Sequence, residues 1–153
     1  MAEVFRIKLD PKGNDFFTGV LPNLESAMDR GINAGMKEAG FLMVKTLRDG
    51  IQRQPKTGRL YKRKGGRTKR ASAPGQYAGI VTGDYLRSAD FDVGGNNTLE
   101  YGFSDKKATW LELGTKNMEP RPALALATEA RQGDTFDILA RSGIQVIERM
   151  GGI

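Results

Sequence analysis

Asp90, Asp92 and Glu100 are the carboxylates whose spacing comes closest to a chemical site. With Lys106 or Lys107 nearby they suggest a magnesium-dependent nuclease, whose metal needs oxygen ligands. A plainer origin competes with that chemistry. Asp90 and Asp92 are two residues apart, so on a strand they share one face with solvent. The remaining chemical inventory is sparse. The 153-residue chain contains no histidine and no cysteine, which removes a catalytic triad, a thiolate metal site and a disulfide framework. The glycines around Lys62 to Lys69 do not match the phosphate-loop spacing, and no dinucleotide fingerprint occurs. No enzymatic activity, metal or cofactor is expected.

The second candidate is electrostatic. The stretch "GRLYKRKGGRTKRASAPGQY", Gly58 to Tyr77, carries Arg59, Lys62, Arg63, Lys64, Arg67, Lys69 and Arg70 and no acid. Adding Arg53 and Lys56 gives nine basic residues between Ile51 and Gly83; the rest of the chain holds fifteen basic and eighteen acidic residues, a balance of −3. The net charge of +6 thus comes from one strongly basic insert in a mildly acidic domain. Such a run can neutralise several phosphates. It lacks the aromatic platform of a single-strand binder and any helix-turn-helix or RNA-recognition signature.

The elements that position these groups follow from periodicity. "EVFRIKL" alternates, with Phe5, Ile7 and Leu9 on one face of a half-buried strand. "DPKGN", Asp10 to Asn14, ends it as a turn. A helix begins near Pro22-Asn23 with Asn23 as its cap. Its face recurs at Leu24, Met28, Ile32, Met36, Ala39, Met43 and Leu47. Gly31, Gly35 and Gly40 weaken that helix unless they allow a close neighbouring backbone. Thr82 caps about one helical turn. "SADFDV" and "TLEYGF" flank the turn "GGNN" and form a β-hairpin, with Ala89, Phe91 and Val93 on one face of its first strand and Leu99, Tyr101 and Phe103 on one face of its second. Ser104 or Asp105 caps a short helix closed by Gly114. Its Trp110 reads first as a core anchor and second as an interface anchor. A last helix spans Ala123 to Arg149, interrupted or weakened at Gly133-Asp134, with Leu124, Ala127, Phe136, Leu139, Ile144 and Ile147 inward.

The expected fold is α+β, one domain over residues 1–153. A small, mainly antiparallel sheet packs against a long N-terminal and a long C-terminal helix, with a basic extended loop at 52–79. The N-terminus "MAEVFRIKLD" lacks the apolar run of a signal peptide, and no stretch is apolar enough to span a membrane. A soluble protein is expected.

Two stretches carry a family likeness: "PGQYAGIVTGDYLRSADFDV" (Pro74 to Val93) and "WLELGTKNMEPRPALALATEA" (Trp110 to Ala130). They resemble the neck and tail-completion proteins of siphophage-like tailed phages. The residues that carry the likeness are Thr82, Gly83, Leu86 and Ser88, then Trp110, Leu111, Glu112, Gly114 and Thr115, then Arg121, Pro122, Leu124 and Ala127. With the long N-terminal helix, the likeness covers most of the chain. The resemblance implies a structural virion protein, assembled in the host cytoplasm, that forms a homo-oligomeric ring, commonly a hexamer. That ring would lie between head-closure proteins and the tail tube, joining head to tail and lining the DNA conduit. A tail terminator ring of the same neck shares overlapping motifs. A stand-alone nucleic-acid-binding protein is the alternative from another class. The basic insert is longer than the family pattern, so its role does not carry over. Its composition reads as an extended arm, mobile in a free subunit and ordered by assembly. Carboxylates of a protein neighbour are its favoured target over DNA phosphates, because fixed cations would retard DNA passage.

Overall fold

The computed structural model describes residues 5–8, 21–79 and 83–151. The expected turn at Asp10 to Asn14 and the cap at Thr82 lie outside them. In chain order the elements are β1 (Phe5–Lys8), α1 (Leu21–Arg53), β2 (Leu60–Lys62), β3 (Thr68–Arg70), α2 (Asp84–Arg87), β4 (Ala89–Gly94), β5 (Thr98–Phe103), α3 (Lys107–Leu113) and α4 (Ala123–Gly151). The fold is α+β, as the periodicities require. One three-stranded antiparallel sheet has the order β1-β5-β4, and β2 and β3 form a separate two-stranded ribbon.

The β4–β5 hairpin follows from its pattern. Ala89, Leu99, Tyr101 and Phe103 are buried, and Phe91 and Val93 are half-buried beside them. The turn is tight at Asn97, the one non-glycine residue with positive φ (52°) among those described. This apolar face packs on α1 and α4 to make two adjoining core clusters, with Phe91 touching both. The outer strand β4 is an open sheet edge that the chain partly blunts itself. Arg48 Nη2 donates to the Ala89 carbonyl at 2.8 Å, and Asp90 Oδ1 accepts the Phe91 N–H at 2.9 Å.

Helices α1 and α4 run antiparallel: Gly31 meets Val146, Gly35 meets Ser142, and Met43 Sδ accepts from Thr135 Oγ1. Met36, Ala39, Met43 and Leu47 are buried as their spacing predicts. The glycines are sites of close approach, not defects. A Cβ on Gly35 would stand 2.6 Å from Ser142 Cβ. Helix α1 starts at Leu21, so Asn23 lies inside its first turn and is not a cap.

Of the two alternatives at Gly133-Asp134, interruption is excluded, and the expected inward face of α4 is only partly right. The helix is continuous through Gly133-Asp134, where Arg131 and Asp134 pair at 2.6 Å. Leu124, Ala127 and Leu139 face inward, but Phe136, Ile144 and Ile147 are exposed, and Thr135 and Ile138 are buried instead. The α4 sequence offers two apolar stripes, and the glycines of α1 accept the one bearing Ser142 and Val146. Trp110 is corrected in the same way. Helix α3 buries Ala108 and Glu112, four residues apart, which leaves Trp110 58% exposed on another face.

Candidate functional site

The basic segment is not a featureless arm. Leu60 pairs with Arg70, Tyr61 with Lys69 and Lys62 with Thr68 in an antiparallel ribbon. The turn closes with Arg63 N–H to the Arg67 carbonyl at 2.9 Å, and Gly65 and Gly66 supply φ values of 105° and 81°. A two-stranded ribbon needs no core when its backbone groups pair with each other and its root is fixed. Both strands are exposed along their whole length. Arg59, Lys62, Lys64, Arg67, Lys69 and Arg70 stand on the surface, with Arg63 half-buried at the turn.

The root is held by side chains of which the sequence singles out only Arg121. Gln76 Oε1 accepts the N–H of Thr57 at 3.2 Å and of Ala73 at 2.9 Å. Lys56 Nζ donates to the Gly50 carbonyl at 3.2 Å and the Tyr77 carbonyl at 3.0 Å, joining the end of α1 to the segment beyond the ribbon. Partial burial lowers the Lys56 pKa. Arg121 makes the longest link, with Nε to Ser72 Oγ at 2.8 Å and Nη2 to the Ser72 carbonyl at 3.1 Å. Ser72 is itself buried. Gly75 N–H reaches the Pro120 carbonyl at 3.0 Å.

Arg121 belongs to a junction that gathers most of the residues singled out by resemblance. Its own N–H donates to the Leu111 carbonyl at 2.6 Å. Thr115 and Met118 exchange backbone hydrogen bonds of 2.7 and 3.1 Å. Gly114 has φ 77°, and a Cβ there would lie 2.6 Å from the Met118 carbonyl oxygen. Pro122 precedes α4, where a missing N–H costs nothing, and its carbonyl accepts from Leu126. Glu112 is 6% exposed, and both carboxylate oxygens lie 3.2 Å from the Leu124 N–H in the first turn of α4. The positive end of that helix favours a negative group.

Three tyrosines surround this carboxylate. Burial, and then the Glu112 charge, raises the pKa of Tyr77 and, far more, of Tyr85. Tyr101 is raised chiefly by burial, against a hydrogen bond with Thr128 that lowers it. The Tyr85 hydroxyl is buried beside the Glu112 carboxylate. Leu86 joins the same core, Ser88 Oγ donates to the Tyr85 carbonyl at 2.8 Å, and Gly83 opens α2 at φ 88°. Glu112, Gly114, Thr115, Arg121 and Pro122 therefore form one unit. Trp110 stands outside it.

Two clefts of opposite charge flank α3. One, about 410 Å³, lies at the ribbon root and is lined by Lys56, Tyr61, Lys69, Arg70, Leu111 and Arg121 among others, with no carboxylate. The other, about 530 Å³, is lined by Asp90, Asp92, Glu100, Asp105, Lys106 and Thr109 among others. The carboxylates named from sequence thus do come together. Lys106 joins them and Lys107 does not. Among the described residues, no three His, Cys, Asp or Glu side chains are arranged to hold a metal ion. No described helix is long and apolar enough to cross a membrane. No family model, curated protein or solved structure matches the chain.

Proposed function

We propose that the chain is a structural subunit of a ring in the neck of a tailed-phage virion, between head-closure proteins and the tail tube. Head–tail joining around the DNA conduit is its task, and six copies its expected number. One observation carries the reading. The residues of the "LE-x-GT" and "RP" motifs form a single junction that clamps the basic ribbon onto the α4 end of the body. A motif set that recurs for a structural reason should behave this way, with its members in contact.

The surface supports an assembly role. Phe41, Leu60, Trp110, Leu113, Phe136, Ile144 and Ile147 are large apolar side chains left exposed. A subunit that lives in a ring covers such residues with its neighbours. The open β4 edge adds less to this case, because Arg48 and Asp90 already occupy part of it. A terminator ring at the same neck would use the same features.

No chemical step belongs to this function. Asp90 and Asp92 lie on the solvent face of the hairpin. Metal-dependent nicking of supercoiled DNA that disappears in Asp92→Ala would overturn that part. A free nucleic-acid-binding role is the second reading, favoured by the carboxylate-free cleft at the ribbon root. Electron microscopy of particles carrying a labelled copy of the protein separates the two. A labelled ring at the head–tail junction is expected. Absence of the protein from purified particles, with salt-dependent duplex binding by the isolated chain, would favour the second.

A further inference from the structure

The two clefts take their linings from different parts of α3. The acidic one includes Lys106 and Thr109, and the basic one includes Leu111. Between them Trp110 and Leu113 are 58% and 57% exposed. One molecule thus presents complementary charges at two separate places. That is the requirement for head-to-tail association of identical chains. We infer that the basic ribbon of one copy docks in the acidic cleft of a second copy, with Trp110 and Leu113 covered beside it.

Each half of the contact carries an excess of one sign of charge. The ribbon bears seven cations and no acid from Gly58 to Tyr77, and every residue of its two strands is exposed. From its root near Gly58 to its turn it extends roughly 20 Å, at about 3.3 Å per residue. That is far enough to reach over a neighbour. On the acidic side, Glu100 stands directly opposite Asp92 on one flank and Arg6 on the other. Asp92 and Glu100 thus set two carboxylates side by side on neighbouring strands. Like charges directly opposed on neighbouring strands are destabilising, so a cation brought from outside gains most at Asp92. Asp90 and Asp105 add to the same field. Leu60 and Tyr61 on the ribbon supply apolar surface next to the charges.

Duplex DNA would satisfy the ribbon alone. It would leave the acidic cleft and Trp110 without a role, and it would bring phosphates close to carboxylates if it followed α3. A second copy accounts for both surfaces. The contact rests on the ring reading for its closure into a ring, but its local chemistry can be measured on the isolated full chain.

The absence of native cysteine makes cross-linking clean. Chains carrying Arg70→Cys are mixed with chains carrying Asp92→Cys under mild oxidation, with Glu129→Cys on exposed α4 as the control partner. The expected result is a mixed disulfide dimer with Asp92→Cys well above the control, suppressed in about 0.5 M salt. A second set tests charge without thiols, by sedimentation. Lys69→Glu with Arg70→Glu, and Asp90→Lys with Asp92→Lys, should each lower self-association about tenfold. Mixing the two reversed chains should restore it. Circular dichroism checks that each variant is folded. Cross-linking no better than the control overturns the contact. So does a mixture that fails to associate while the unaltered ribbon binds duplex DNA. Because both measurements use the isolated chain, their failure leaves the ring to be judged by its own test in the particle.

Discussion

At the scale of single residues, Glu112 ties α3 to the start of α4. Its carboxylate is buried, meets the first turn of α4 and lies among Tyr77, Tyr85 and Tyr101. Glu112→Ala leaves the Leu124 N–H without its partner in a buried place, a loss of about 1–3 kcal/mol. Glu112→Gln keeps a carbonyl oxygen there and should cost less. Urea unfolding with an unchanged slope measures both; an Ala variant as stable as the parent would remove Glu112 from this role. The tyrosines give a pH signature of the same site. Burial raises their folded pKa values above the ordinary tyrosine value of about 10, so the native state retains protons that the unfolded chain gives up. The stability they contribute is complete below about pH 10 and is lost as the pH climbs through the higher folded values. Tyrosinate absorbance of the native chain at about pH 11 should therefore lag well behind that of the chain unfolded in urea. Tyr85→Phe should remove the largest part of the lag. Overlapping native and unfolded titrations would contradict the burial of these rings.

At the scale of elements, the packing of α1 on α4 reverses the usual effect of glycine. Gly→Ala in an exposed helix interior gains up to about 1 kcal/mol, and Gly133→Ala should do so because nothing lies near its added Cβ. Gly35→Ala places that same methyl 2.6 Å from Ser142 Cβ and should cost about 1–3 kcal/mol. Thermal unfolding of the pair reads the sign directly, and a stabilised Gly35→Ala would mean that the helices stand further apart. The same contact explains which parts of the fold were legible. The α1 face from Met36 to Leu47 and the β4–β5 alternation have one apolar stripe each, so period alone fixes them. Helix α4 has two, and only the partner selects between Phe136 with Ile144 and Ile138 with Val146. The ribbon was illegible for another reason. "LYK" and "TKR" alternate nothing apolar, and the Gly65-Gly66 pair that builds the turn reads equally well as a breaker. Ser72 and Gln76 left no signal at all, since their partners lie across the fold or in the backbone.

For the whole molecule, the ribbon separates stability from function. Lys62, Arg63, Lys64, Lys69 and Arg70 project from strands and a turn that the core does not touch, whereas Lys56, Gln76 and Arg121 fix the root. Replacing the first five with Ser or Gln should cost little folding stability, within about 0.5 kcal/mol at each of the four exposed positions and somewhat more at half-buried Arg63. In a neck ring whose subunits clamp one another or an adjacent ring, the same variant should leave full heads and free tails unjoined. A conduit role predicts a different defect. Cations on a channel wall bind phosphates with a strong dependence on salt, so they slow a passing duplex, and removing them would alter DNA release without blocking assembly. Particle counts by microscopy and the rate of DNA release from joined particles distinguish the two. Unjoined heads, with a folded variant protein, are the expected outcome. Normal particles with altered release would turn the ribbon toward DNA, and the acidic cleft beside Asp92 would then need another occupant.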